Sequence, residues 1–334
     1  LIKKNIRELF FRNAGAGKRR RRTGPAIVNA VLLAGLVGIA HPYCFAQSCH
    51  PIETRPVGSG FRGRVVPIGK YCLNIDLKQF KEFDIHAGRF LTYEGVPLLN
   101  ILYPSPGRTP DFSTGEITEI DLQGHELIAE PDDMTGILDR IPSEHLYVHN
   151  GTIHVPGTDE HNIGIDLQAM SSPRETYARP NCKASQTTCM DGPSVHQKAP
   201  PYRRTEHVVE KVNVRAGHLG VQMVGIGNTL RDSVIEVDSR GAIALFGPGS
   251  KIENNTIIVH GKGDATSDDG AIVLWDGNGA VIRNNRFIFK GWFKKAPPAI
   301  RLIDSADVRL EGNTFEGFDQ RVEQVGASSY RINP

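Results

Sequence analysis

Apolar and polar residues alternate along this chain in short runs that return at related intervals. Lys251 to Val259 reads KIENNTIIV, and Val281 to Phe289 reads VIRNNRFIF. Aligned on the Asn-Asn phrase, equivalent positions fall at His125, Gly151, Val212, Ser233, Asn255, Asn285 and Asn313, at intervals of 26, 61, 21, 22, 30 and 28 residues. Three residues before each stands an apolar side chain: Leu122, Val148, Val209, Leu230, Ile252, Ile282 and Leu310. Two residues after stands another: Leu127, Ile153, Val214, Ile235, Ile257, Phe287 and Phe315. A further strand pattern recurs as GIDLQ, GVQMV, AIALF, AIVLW and AIRLI. Its apolar columns are Ile165, Val221, Ile243, Ile272 and Ile300, then Leu167, Met223, Leu245, Leu274 and Leu302.

Each unit thus contains three short strands of period two, rich in β-branched residues and separated by Gly, Asn, Asp and Pro turns. The apolar columns align between units rather than at three and four residues within one, which excludes amphipathic helices. One such unit cannot bury its own face. Consecutive units must stack at the strand spacing of ~4.8 Å, like residue on like residue. Each fully buried Ile or Leu contributes roughly 1.5–3 kcal/mol, so five to seven such columns can dominate the folding balance.

The phrases IDLQGHEL, VHNGTIHV, IENNTIIV, IRNNRFIF and LEGNTFEG make the chain from about Glu119 to Phe318 resemble the right-handed parallel β-helix family, the pectate-lyase-like superfamily. The resemblance implies an all-β, single-stranded right-handed parallel β-helix of about seven rungs with an N-terminal cap. It also implies a stacked ladder of Asn255, Asn285 and Asn313, and a substrate lying along the outer face of the first strand sheet. The architecture hosts many activities, so it does not name one. Residues 47–118 are expected to form the cap and 119–334 the β-helix. A Pro-, Ser- and Thr-rich insertion carrying Cys182 and Cys189 interrupts it at about 169–205. A loop of that length inside a compact domain points to function or disorder.

Composition changes the picture once a leader is removed. Lys18 to Arg22 (KRRRR) precede the apolar run Ala30 to Ala40, with small residues near Cys44-Phe45-Ala46. Residues 1–46 therefore read as a signal peptide, too short in its apolar core to span a bilayer. Without them, 30 basic and 36 acidic residues remain, a net of about −6 against +2 for the whole chain. Nucleic acid is thereby disfavoured as a partner. The mature protein is expected to be exported, periplasmic or extracellular, with no stable membrane span. Four cysteines remain, Cys49, Cys72, Cys182 and Cys189. In an oxidising compartment they imply two disulfides; nearest pairing joins Cys49 to Cys72 and Cys182 to Cys189, with three connectivities open.

Alternation sets the candidate chemistry. Asp166, Gln222, Ala244, Val273 and Arg301 form the outward column beside the first-sheet Ile column, followed by Gln168, Val224, Phe246, Trp275 and Ile303. At the strand entry, Asn162, His218, Arg240, Asp269 and Pro297 share one position. His218, Arg240 and Asp269 would place a base, a fixed cation and a carboxylate on successive rungs. Phe246 and Trp275 offer aromatic planes to a sugar, or else lie covered by the insertion. Asp166, Gln222 and Arg301 complete the candidate substrate contacts, with Lys294 and Lys295 nearby.

The partner that suits this face is an extended polysaccharide, and the reaction favoured narrowly is uronate lysis or epimerisation, with Arg240 neutralising the carboxylate and His218 removing the proton. The alternatives are hydrolysis by Asp276 and Asp304, which follow the strand on adjacent rungs, or a non-catalytic glycan-binding or surface structural module. Asp276 and Asp304 are also ordinary turn residues. No cofactor is required. Asp264, Asp268 and Asp269 resemble a calcium loop only loosely, because Asp269 stands where Gly is expected. His149, His154 and His161 match no metal spacing and read as solvated turn residues.

Overall fold

Three strands per turn and inward apolar columns dictate two long parallel sheets, and the computed structural model has them. It describes residues 49–57, 60–65, 69–79, 82–84, 89–91, 97–101, 117–129, 135–139, 145–157, 162–168, 202–262, 270–291 and 295–333. The expected signal peptide, Cys182 and Cys189, and Asp264, Asp268 and Asp269 lie outside them. Among the described residues no helix is long and apolar enough to cross a membrane.

The front sheet has ten strands, including Ile137–Asp139, Ile163–Gln168, Leu219–Val224, Ile243–Phe246, Ile272–Trp275, Ile300–Ile303 and Val322–Val325. A sixteen-strand ladder sheet carries the other two strands of each turn. Its pairings are parallel throughout; in the front sheet Glu53–Val57 and Gly60–Val65 alone run antiparallel. The protein is a right-handed parallel β-helix. Gly69–Cys72 and Leu99–Ile101, from the segment expected to be a cap, pair in parallel with Thr118–Asp121 and Ile137–Asp139, so both sheets already contain strands from 47–118.

Register matches the sequence columns. Ile165 pairs with Val221, Val221 with Ile243, Ile243 with Ile272 and Ile272 with Ile300, each fully buried. Ile153, Val214, Ile235, Ile257, Phe287 and Phe315 stack likewise in the ladder sheet. One position slips: Ile120, not Leu122, pairs with Val148. The turn at Gln123 and Gly124, both with positive φ, adds two residues to this rung before Leu127 rejoins its column opposite Ile153.

Small residues before the Ile column are there for space. A Cβ on Gly164 would come within 2.3 Å of Val214 Cγ1, and one on Gly220 within 2.3 Å of Ile235 Cγ2. The first two positions of GIDLQ and GVQMV thus both point inward, where the front sheet meets the β-branched column behind it.

The Asn ladder closes the bend between the two ladder-sheet strands. Asn285 Oδ1 accepts from the Asn255 backbone amide at 2.9 Å and from Asn255 Nδ2 at 3.0 Å. Asn313 Oδ1 does the same for Asn285, at 3.0 Å each. Asn255 Oδ1 takes the Ser233 amide at 3.0 Å, and the Ser233 hydroxyl takes the Val212 amide at 3.2 Å. Neighbouring Asn254 and Asn284 adopt φ of 57° and 55°, which Asn tolerates well for a residue with a side chain. A Cys49–Cys72 disulfide, Cα atoms 5.6 Å apart, ties the first ladder strands.

Candidate functional site at the edge of the front sheet

Alternation places Asp166, Gln222, Ala244, Val273 and Arg301 in one outward column. Outward does not mean exposed: they are 3%, 6%, 2%, 4% and 7% accessible. A second apolar cluster of Ile163, Leu219, Val224, Ala244 and Phe246 covers this face, with Tyr202 and Trp275 packed against it. Tyr202 belongs to the last residues of the insertion, so at Phe246 the aromatic floor is covered by protein. Gln222 Nε2 donates to Asp166 Oδ1 at 3.1 Å, and Arg301 Nε to Glu323 Oε2 at 2.7 Å. Those two contacts offset part of the cost of burial, while Arg301 Nη1 is buried with no hydrogen-bond partner among the described residues.

The entry column is only partly described. His218 is half-buried; its amide donates to the Asn162 carbonyl at 3.2 Å, and its carbonyl accepts from the Ser239 hydroxyl. Arg240 is 7% accessible, and its Nη2 donates to the Lys295 carbonyl at 3.1 Å.

The strand ends are more open. Phe246 and Trp275 stack with centroids 4.8 Å apart and planes 7° from parallel. Phe246 is buried while Trp275 is half-buried, leaving a partly accessible indole at the edge. Asp276 and Asp304 follow the paired residues Trp275 and Ile303, so they stand one strand spacing, ~4.8 Å, apart. Both have positive φ, 52° and 49°, and so belong to the turn as their residue type suggests. The Tyr202 hydroxyl donates to Asp276 Oδ2 at 2.8 Å, and Asp304 Oδ1 accepts the Ala327 amide at 3.0 Å. Burial pushes the Asp276 carboxyl above its ordinary range; the Tyr202 hydrogen bond opposes this and the Asp304 charge adds to it. The two carboxyls thus differ in setting, one half-buried and bonded to a hydroxyl, the other bonded to a backbone amide.

A second constellation lies on the outer face of the ladder sheet. His149 is 7% accessible within the strand Leu146–Val155 and is no solvated turn residue. Its ring stacks on Tyr147 at 4.2 Å, and Nε2 lies 3.2 Å from Glu119 Oε1. The Tyr147 hydroxyl donates to Glu210, which also pairs with Arg231. Burial opposes ionisation of Glu210, yet the bonds from Tyr147 and Arg231 bring its carboxyl below the ordinary range. The signal was present: the residues after Val209, Leu230, Ile252 and Ile282 are Glu210, Arg231, Glu253 and Arg283, an outward column of alternating charge. Among the described residues no group of three His, Cys, Asp or Glu side chains is arranged to hold a metal ion.

No family model matches the chain, and no curated protein matches it. Among solved structures it shows a likeness to a "putative glycosyl hydrolase" from Parabacteroides merdae ATCC 43184. The identity is 11%, the match covers 66% of this chain and 83% of the other, and the TM-score is 0.29. That likeness is too slight to bear on fold or activity.

Proposed function

We propose that this is an exported glycoside hydrolase that works on an extended polysaccharide at the edge of the front sheet, with Asp276 as general acid and Asp304 as its carboxylate partner. The observation that carries the proposal is the placement of Asp276, hydrogen-bonded to Tyr202 and one rung from Asp304, where burial pushes its carboxyl upward. Trp275 beside it offers a plane for a sugar ring. Asp276 would protonate the leaving oxygen, while Asp304, oriented by the Ala327 amide, would attack or stabilise the developing positive charge at the anomeric carbon. A lyase or epimerase built on His218, Arg240 and Asp269 has less support, since Arg240 is nearly buried and engaged with the Lys295 carbonyl.

Incubation with a panel of neutral and acidic polysaccharides tests the reading. Reducing ends should appear, and Asp276→Asn or Asp304→Asn should lower kcat by about 10²–10⁴-fold without changing the circular dichroism spectrum. The acid must be protonated, so activity should fall as pH rises through the raised pKa of Asp276. Full activity in Asp276→Asn, or no reducing ends from any glycan, would overturn the proposal. Unsaturated products would instead favour the lyase.

A further inference from the structure

Around the corner from this edge, a groove of about 490 Å³ lies along the outer face of the ladder sheet. Its floor includes Tyr147, Val208, Thr229 and Lys251, which stand in one register column, and Ile117 and Arg231 flank them. Apolar and charged surfaces divide the groove. Ile117 is 54% accessible, unusual for so large an apolar side chain, and it continues the wall made by Val208.

Two carboxylates line or underlie the groove, and both are already engaged. Glu206 meets His145 Nδ1 at 3.3 Å and Arg204 Nε at 2.5 Å. Glu210, with a side chain only 4% accessible, is held by Tyr147, Arg231 and Lys211. Lys251 is exposed and makes no ion pair among the described residues, and Arg231 keeps 45% of its side chain accessible after pairing. Of the residues that line the groove, Arg231 and Lys251 are cations and Glu206 is the acid, itself held by His145 and Arg204. Local potential, not total charge, decides what such a groove attracts.

We infer that this groove is a second sugar subsite, selective for a carboxylate-bearing residue. The carboxylate sits between Lys251 and Arg231, and the apolar face of the ring packs on Val208. The inference rests on the glycan reading above but not on the roles given to Asp276 and Asp304. Tyr202, at the acid pair, and Glu206, in the groove, are four residues apart on one segment; fully extended, that is at most ~14 Å, within reach of one oligosaccharide. The subsite would therefore select acidic chains for the cleavage site.

Calorimetric titration of the full chain with oligogalacturonate and alginate oligosaccharides tests it, with the same oligosaccharides carboxyl-reduced to alcohols as controls. The acidic forms should bind, more weakly as salt is added, and the reduced forms should bind at least tenfold less well. Lys251→Glu should weaken acidic binding by about tenfold to a hundredfold, the scale of a lost charge-assisted hydrogen bond. Lys251 is exposed, so this variant should fold. Equal binding of acidic and reduced forms, unchanged binding by Lys251→Glu, or no binding of either acidic probe would overturn the subsite. Acidic binding lost in Lys251→Glu, in a wild type that releases no reducing ends from any glycan, would support the subsite and overturn the hydrolase, so the two proposals fail separately.

Discussion

His207 shows how much a single side chain can depend on its place in a column. It stands opposite Leu146 and ahead of Asn228 and Ser250 in an inward column of the ladder sheet, and all four are fully buried. Its Nδ1 accepts the Leu146 amide at 3.3 Å, while Nε2 has no hydrogen-bond partner among the described residues. Burial, with a smaller push from His145, takes its pKa down to about 3. The unfolded imidazole protonates near ~6.5 and the folded one does not, so the stability it lends is present above pH ~6.5 and drains away as pH falls toward 3. His207→Asn should flatten the urea-unfolding free energy between pH ~6.5 and 5, above the range where the lowered carboxyls of Asp76, Glu210 and Glu236 titrate. An unchanged slope would contradict this. Nothing in the sequence marks His207 as buried, because it lies outside the aligned phrases and only pairing reveals its column.

At the scale of the element, inward faces were readable and outward faces were not. Columns such as Ile243, Ile272 and Ile300 repeat because identical side chains fill identical space on successive rungs. The outward column carries no such constraint, and its burial depends on what covers it. Val273 alternates outward as expected yet is 4% accessible, between Ala244 and Arg301 in its column. The Asn ladder is an element-scale device of the readable kind. Asn285→Leu would orphan the buried Asn255 amide and the Ile252 carbonyl, which Asn285 now satisfies. Each lost partner costs about 1–3 kcal/mol, so the thermal midpoint should drop by several degrees in calorimetry. A midpoint within a degree of the wild type would mean that the ladder is ornamental.

For the whole molecule, the parallel β-helix was readable from periodicity, while the site was readable only in part. Asp276 and Asp304 stood out as equivalent positions after a strand, but their residue type equally announces a turn, and both are turn residues. What separates them from other turn residues is Tyr202, which arrives from the far side of a long insertion and whose contact no local pattern encodes. In the Tyr147, Glu210 and Arg231 constellation, the alternating charge of Glu210 and Arg231 is legible in the sequence, whereas the contact from Tyr147 arises only by stacking. The central claim is that Asp276 and Asp304 act together across one rung. Backbone positions one strand spacing, ~4.8 Å, apart suit the ~5–5.5 Å carboxyl separation of a retaining mechanism. The most direct test is proton NMR of the first product released from a cleaved polysaccharide, read before the sugar mutarotates. Retention of the anomeric configuration is the predicted result, and inversion would contradict the pair.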